Sequence, residues 1–203
     1  MTMATRINVM RTRSASVVAS VVASIVASIV LVGCGFFAGE SPEAVVPASA
    51  EAIALESTAF ETNGAIPSIY TCDGDDSSPA LSWGVLPANT QSMVLIMDDP
   101  DAPRGRFVHW VVYDIPPDVA GFAEDVPDGE SLAVGGLHGK NGFRKVGYGG
   151  PCPPSGTHRY VFRLYALDTI LELPSGKSKG DVVEAMNGHI VGVGELIGQY
   201  ARE

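Results

Sequence analysis

The sequence predicts a mainly β domain with helix confined to its C-terminal end, and three observations carry that prediction. Short runs rich in β-branched and aromatic residues recur between residues 92 and 166, each bounded by Pro, Gly or Asp. An apolar pattern spaced by three and four appears only after Ser178. Glycine and proline interrupt the intervening chain too often for long helices.

The strongest strand signals are residues 92–97 (SMVLIM), 107–115 (FVHWVVYDI) and 157–166 (THRYVFRLYA). Apolar side chains fall on both faces of each, so these strands should lie in the middle of a sheet covered on both sides. Alternation puts Phe107, His109, Val111 and Tyr113 on one face of the second run and Val108, Trp110 and Val112 on the other. Residues 81–83 and 54–60 carry weaker strand signals. Residues 121–156 hold ten Gly and four Pro without periodicity and lead directly into a strong strand, which predicts a binding loop. Ser178-Lys179-Gly180-Asp181 reads as a capping box. Val182, Met186, Ile190, Val193 and Ile197 then predict one or two short helices, weakened by Gly188, Gly192 and Gly194.

Before this domain, residues 1–33 combine Arg6, Arg11 and Arg13 with an uncharged apolar run and the small residue Gly33, the pattern of a secretory signal peptide. Leu31-Val32-Gly33-Cys34 resembles a bacterial lipobox, and that resemblance implies that Cys34 becomes the lipidated first residue of the mature chain. The rival reading is an uncleaved transmembrane anchor, since the run approaches the roughly 18 residues at which a span becomes a candidate. Either reading puts the domain outside the cytoplasmic membrane, on the cell envelope. Residues 34–52 are rich in Ala, Ser, Pro and Glu and are expected to form a flexible tether, which as a coil reaches on the order of 20 Å. The domain proper is expected to span residues 53–203.

Removing three Arg from thirteen basic residues leaves ten against 23 acids, a formal charge of −13. Such a chain repels phosphate backbones, which excludes nucleic acid as an expected partner. Any anion it binds must be held by local geometry. With Cys34 assigned to lipid, Cys72 and Cys152 remain as a pair in an oxidising location and can form a disulfide. Cys34 is the alternative partner if it carries no lipid.

Three stretches carry side chains suited to binding. Asp98-Asp99-Pro100-Asp101-Ala102-Pro103 follows the first strong strand, and its prolines hold the carboxylates on a rigid turn. His109 lies near the start of the second strand. In the third, Gly149 and Gly150 permit close backbone approach, three prolines stiffen the loop, and alternation sets His158 and Tyr160 on one strand face. Glycine amides beside a His and a Tyr hydroxyl offer donors to an anion. His138 and His189 read as solvated.

These blocks, together with TCDGDDSSPALSW at residues 71–83, resemble in order the signature segments of the phosphatidylethanolamine-binding protein family, in its bacterial Raf-kinase-inhibitor-like branch. The resemblance covers residues 54–202. It implies a β-sandwich of two packed antiparallel-rich sheets with short C-terminal helices and a small anion pocket at one end. By matched motif the pocket residues are Asp99, Asp101, His109, Gly150, Pro151, His158 and Tyr160. In the family these receive phosphate, acetate or a phosphoryl head group, with His109, His158 and Tyr160 as expected donors. The chain shows no counterpart of the extra C-terminal segment that closes the pocket in animal relatives, so kinase inhibition is not carried over.

The leading expectation is therefore a non-enzymatic, lipid-anchored binding protein for a small anionic or phosphorylated ligand, requiring no cofactor. Modulation of a kinase or peptidase is the alternative, although no inhibitory segment is identifiable. A metal-dependent hydrolase is a weaker one: Asp99, Asp101, His109 and His158 match no metallohydrolase spacing, and no metal ligand is assigned.

Overall fold

A computed structural model describes residues 42–202. The elements in chain order are β1 (Glu51–Ala52), β2 (Leu55–Glu56), β3 (Gly64–Ala65), a 3-10 turn (Ser68–Tyr70), β4 (Leu81–Trp83), β5 (Ser92–Asp99), β6 (Phe107–Ile115), β7 (Gly121–Phe122), β8 (Leu137–His138), β9 (Thr157–Leu167), α1 (Lys179–Met186) and β10 (Ile190–Ala201). The signal peptide, Cys34 and the start of the tether lie outside the described residues. No helix among the described residues is long and apolar enough to cross a membrane.

The larger sheet has the order β1-β10-β9-β5-β6-β8, with β3 also pairing β10. β5 is central, and its eight residues are all buried. A smaller antiparallel sheet, β2-β4-β7, covers one face. There Leu55, Leu81, Trp83 and Phe122 pack against Met93, Leu95, Met97, Trp110, Phe162 and Leu164. On the opposite face Val94, Ile96, Val111, Tyr113 and Tyr165 meet Val182, Val183 and Met186 of α1. Two covered faces explain why these strands read as apolar throughout.

Three expectations change. The helix stops at Met186, because Asn187 is extended and Gly188 takes φ 86°. Residues 190–201 form instead the longest strand, paired along its length with β9. Its apolar residues satisfy both a helical and a two-residue period, and the glycines decide between them. Gly192, Gly194 and Gly198 alternate on the face that meets the N-terminal strands: a Cβ at Gly194 would lie 2.6 Å from the Ile53 carbonyl oxygen, and one at Gly198 would lie 2.5 Å from Ile66. Glycine here permits close packing of backbone on sheet.

Second, the chain from Pro42 onward does not stand off as a tether. Ala44 and Ala50 pack beside α1, and β1 pairs in parallel with β10. Third, residues 121–156 contribute β7 to the small sheet and β8 to the large one, with Leu132 and Tyr148 in the core. His138 is fully buried rather than solvated, with Nδ1 2.8 Å from the Gly129 oxygen, whereas His189 is exposed and pairs with Asp168.

Gly194→Ala distinguishes strand from helix by sign. An exposed helix would gain about 1 kcal/mol from the exchange. The strand packing predicts a loss of about 1–3 kcal/mol, read by chemical denaturation.

Candidate functional site

β5 ends at Asp99, where Pro100 and Pro103 prevent the ladder from continuing. Asp98 and Asp99 point to opposite faces, as neighbours on a strand must. Asp99 Oδ1 accepts the Asp101 amide N–H at 2.8 Å, closing the turn, and its Oδ2 lies 2.7 Å from His158 Nδ1. An ionised carboxylate can only accept, so Nδ1 is the protonated nitrogen of His158. Asp101 accepts both the amide and the guanidinium of Arg159, at 2.6 to 2.9 Å. The Arg159 hydrogen bonds hold the Asp101 carboxyl down to about 2. Its role is therefore to fasten the turn to the start of β9.

His109 reaches the same place through a β-bulge. Met97 opposes Trp110 and Asp98 opposes Val108, so His109 is an extra residue in β6. The bulge resets the alternation: Val111 and Tyr113 face α1, while the His109 ring packs 5.1 Å from Tyr160, on the other side. Simple alternation had grouped His109 with Val111 and Tyr113, and a two-residue period carries no sign of an inserted residue.

His109 Nδ1 lies 2.6 Å from the Gly149 carbonyl, and the Gly149 N–H donates back to the His109 carbonyl at 3.1 Å. A carbonyl only accepts, so Nδ1 carries the hydrogen. Nε2 is buried without a hydrogen-bond partner among the described residues. Burial is the largest influence on this imidazole and lowers its pKa, outweighing the Gly149 hydrogen bond and the charge of Asp99. The resting ring is thus neutral, with a lone pair rather than a donor at Nε2. Tyr160 Oη is likewise buried without a well-formed hydrogen bond. Burial, then the charge of Asp99, raises its pKa against a smaller opposing pull from the Cys152 backbone, so it remains a hydroxyl donor. Each such unpaired buried atom costs about 1–3 kcal/mol, and two carried on rings in contact mark a place where a ligand can complete the pairing.

The 147–156 loop is locked from behind. Gly150 N–H donates to Asp76 at 2.7 Å, Cys72 N–H to the Pro151 oxygen at 3.1 Å, and Tyr148 Oη to the Tyr70 oxygen at 2.8 Å. The expected disulfide joins Cys72 to Cys152, with Cα atoms 5.4 Å apart. A Cβ at Gly150 would lie 2.5 Å from the Tyr70 oxygen, so this glycine serves close packing. The amides of Gly149 and Gly150 are consumed within the protein. They are not the free anion donors that the sequence suggested.

Beside these groups opens a cavity of about 510 Å³. Asp99 and His109 line it with polar groups; Phe107, Phe143, Pro103 and Pro154 form apolar walls; Arg104 adds a basic group, and Arg106 contributes to the lining while its guanidinium pairs with Asp98 and Glu43. His158 and Tyr160 stand one contact behind, on Asp99 and His109. Asp101, Gly150 and Pro151 shape the surrounding chain without lining the cavity. Sequence reasoning missed Phe143, Arg104 and Arg106; only Phe107 carried a signal, sharing the face of His109 two residues on. Among the described residues no group of three His, Cys, Asp or Glu stands close enough to hold a metal ion.

Residues 56–201 match the family described as phosphatidylethanolamine-binding protein. A UPF0098 protein of Methanothermobacter thermautotrophicus is 55% identical over 148 residues, covering 73% of this chain and 98% of that one. A UPF0098 protein of Aquifex aeolicus is 49% identical over 150 residues, covering 72% and 87%. The crystal structure of a phosphatidylethanolamine-binding protein homolog from Chlamydia trachomatis superposes with a TM-score of 0.70 at 38% identity, covering 76% of this chain and all of that one. Escherichia coli YbcL, described as a new member of the mammalian family, gives 0.69 at 28% identity, covering 74% and 99%.

Two measurements check this geometry. The His109 imidazole should titrate by NMR below the ordinary value of about 6.5. The unfolded chain then binds that proton at higher pH than the folded one, so this contribution to stability is lost as pH falls from about 6.5 towards the folded value. Replacing Cys72 and Cys152 with Ser should cost about 2–4 kcal/mol, read by denaturation, since the bridge closes 80 residues.

Proposed function

The chain belongs to the phosphatidylethanolamine-binding protein family, and from that premise we propose that it is a non-enzymatic binding protein whose Asp99–His109 cavity takes a small phosphorylated or otherwise anionic ligand. The observation that carries the reading is the pair of buried, unpaired polar atoms, His109 Nε2 and Tyr160 Oη, beside the His158–Asp99 pair. An oxyanion entering here accepts from the Tyr160 hydroxyl, and from His158 Nε2 only when that ring carries a second proton, because its Nδ1–H is committed to Asp99.

His109 sets the proton condition. Its Nδ1–H is committed to Gly149, so Nε2 can donate to an oxyanion only once it is protonated. Alternatively a protonated ligand oxygen donates to the Nε2 lone pair. Either way the complex holds one proton more than the free protein and a fully ionised ligand, so binding weakens as pH rises. The apolar walls leave room for carbon groups attached to the anion, and the basic Arg104 on the lining favours its charge against a strongly acidic chain.

The proposed address is the cell envelope, outside the cytoplasmic membrane, held there by lipid on Cys34 after removal of residues 1–33. The Cys72–Cys152 disulfide supports an oxidising compartment.

Phosphoethanolamine and inorganic phosphate, titrated by calorimetry, should bind with an affinity that falls between pH 6 and pH 8. His158→Ala and His109→Ala should each weaken binding by about 10-fold or more, the worth of one hydrogen bond to a charged group. Binding that is absent at millimolar ligand, or indifferent to both substitutions, contradicts the reading.

A further inference from the structure

On the face of the large sheet opposite the cavity, three cations gather around one buried carboxylate. Asp98 Oδ2 lies 2.8 Å from Lys179 Nζ, and its Oδ1 lies 2.7 Å from the Arg106 guanidinium and 3.7 Å from that of Arg163. Arg163 also pairs with Glu195 at 2.9 Å. Lys179 and Asp98 are almost wholly buried. Asp98 and Glu195 supply two negative charges against three positive ones, so the domain by itself leaves one cation in excess.

The missing charge comes from the segment preceding the family match, which begins at residue 56. Glu43 places Oε1 2.6 Å from Lys179 Nζ and 2.8 Å from Arg106 Nε, and Oε2 3.5 Å from Arg163. One carboxylate thus touches all three cations and makes the cluster neutral. The segment is held along its length: the Val45 amide donates to Asn187 Oδ1 at 3.3 Å, Ala44 and Ala50 pack against the α1 core, and β1 adds to β10. Its composition of Ala, Pro, Ser, Val and Glu offers little apolar area, so the ion pairs are the specific part of its attachment.

We infer that Arg106, Arg163 and Lys179 form a second oxyanion site, distinct from the cavity, which the chain's own Glu43 fills to fasten residues 42–52 as a strap. The site accepts a small carboxylate or phosphate, the chemistry of the group already seated in it. An intramolecular carboxylate acts at an effective concentration on the order of millimolar or more, so a free oxyanion enters only when the strap is removed or outcompeted. Arg106 also lines the cavity, which makes the strap's fastening contiguous with its wall.

The test uses the full chain and inorganic phosphate, following the side-chain signals of Arg163 and Lys179 by NMR, neither of which lines the cavity. In Glu43→Ala, phosphate should shift both signals with saturation at millimolar concentration. In the wild type the same response should need about 10-fold more phosphate, and in Glu43→Ala/Arg163→Gln the remaining Lys179 response should weaken by a similar factor. Glu43→Gln, which keeps the shape of the side chain, should behave as Glu43→Ala. Unmoved signals in both Glu43 variants, an equal response in the wild type, or an unchanged response in the double variant overturns the inference. The His109 ring signals report the cavity separately, so failure there leaves this result readable.

Discussion

The reciprocal hydrogen bonds between His109 and Gly149 join the glycine-rich loop to the central sheet and fix the chemistry of the cavity in the same stroke. They set the tautomer of a buried imidazole, and with it the atom that faces a ligand. They also place Tyr148 and Gly150 where the Tyr70–Asp76 segment can lock them by hydrogen bonds and a disulfide. Loop residues that are mobile in most proteins are here tied at five successive positions, Tyr148 to Cys152, so the walls exist before any ligand arrives. Preformed walls lower the entropy cost of binding.

Successive residues on β5 divide the work. Asp98 faces α1 and anchors the cation cluster; Asp99 faces the cavity and orients His158. The strand's pleat, followed by a proline-stiffened turn, is what lets two adjacent carboxylates serve opposite faces. Asp101, one turn position further, is spent on Arg159 and holds the turn to β9. The acidic run is thus three separate ties, and only Asp99 meets the cavity directly.

Much of this was legible in the chain. The strands 92–97, 107–115 and 157–166 stood out because both faces are covered and the local composition follows. Convergence of Asp99, His109, His158 and Tyr160 was legible from ordered motifs rather than from any period. What was not legible has a common physical cause: contacts between distant residues leave no local pattern. The bulge at His109 depends on the register with β5. The strand at Ile190–Ala201 depends on Ile53 and Ile66 packing over its glycines, without which the apolar spacing reads equally well as helix. The docking of residues 42–52 rests on Glu43 meeting cations 63 to 136 residues away, in a stretch whose composition resembles a free coil. His138 looked solvated for the same reason, since its burial comes from Trp110 and Gly129.

The central claim is that two buried, unpaired groups from distant strands, His109 Nε2 and Tyr160 Oη, meet one ligand at the cavity beside Asp99. A crystal structure of the protein grown with phosphoethanolamine at pH 6 tests it most directly. The account predicts a phosphoryl group within hydrogen-bonding distance of His109 Nε2 and Tyr160 Oη. Phosphoryl density elsewhere on the surface, with these two atoms still unpaired, contradicts it.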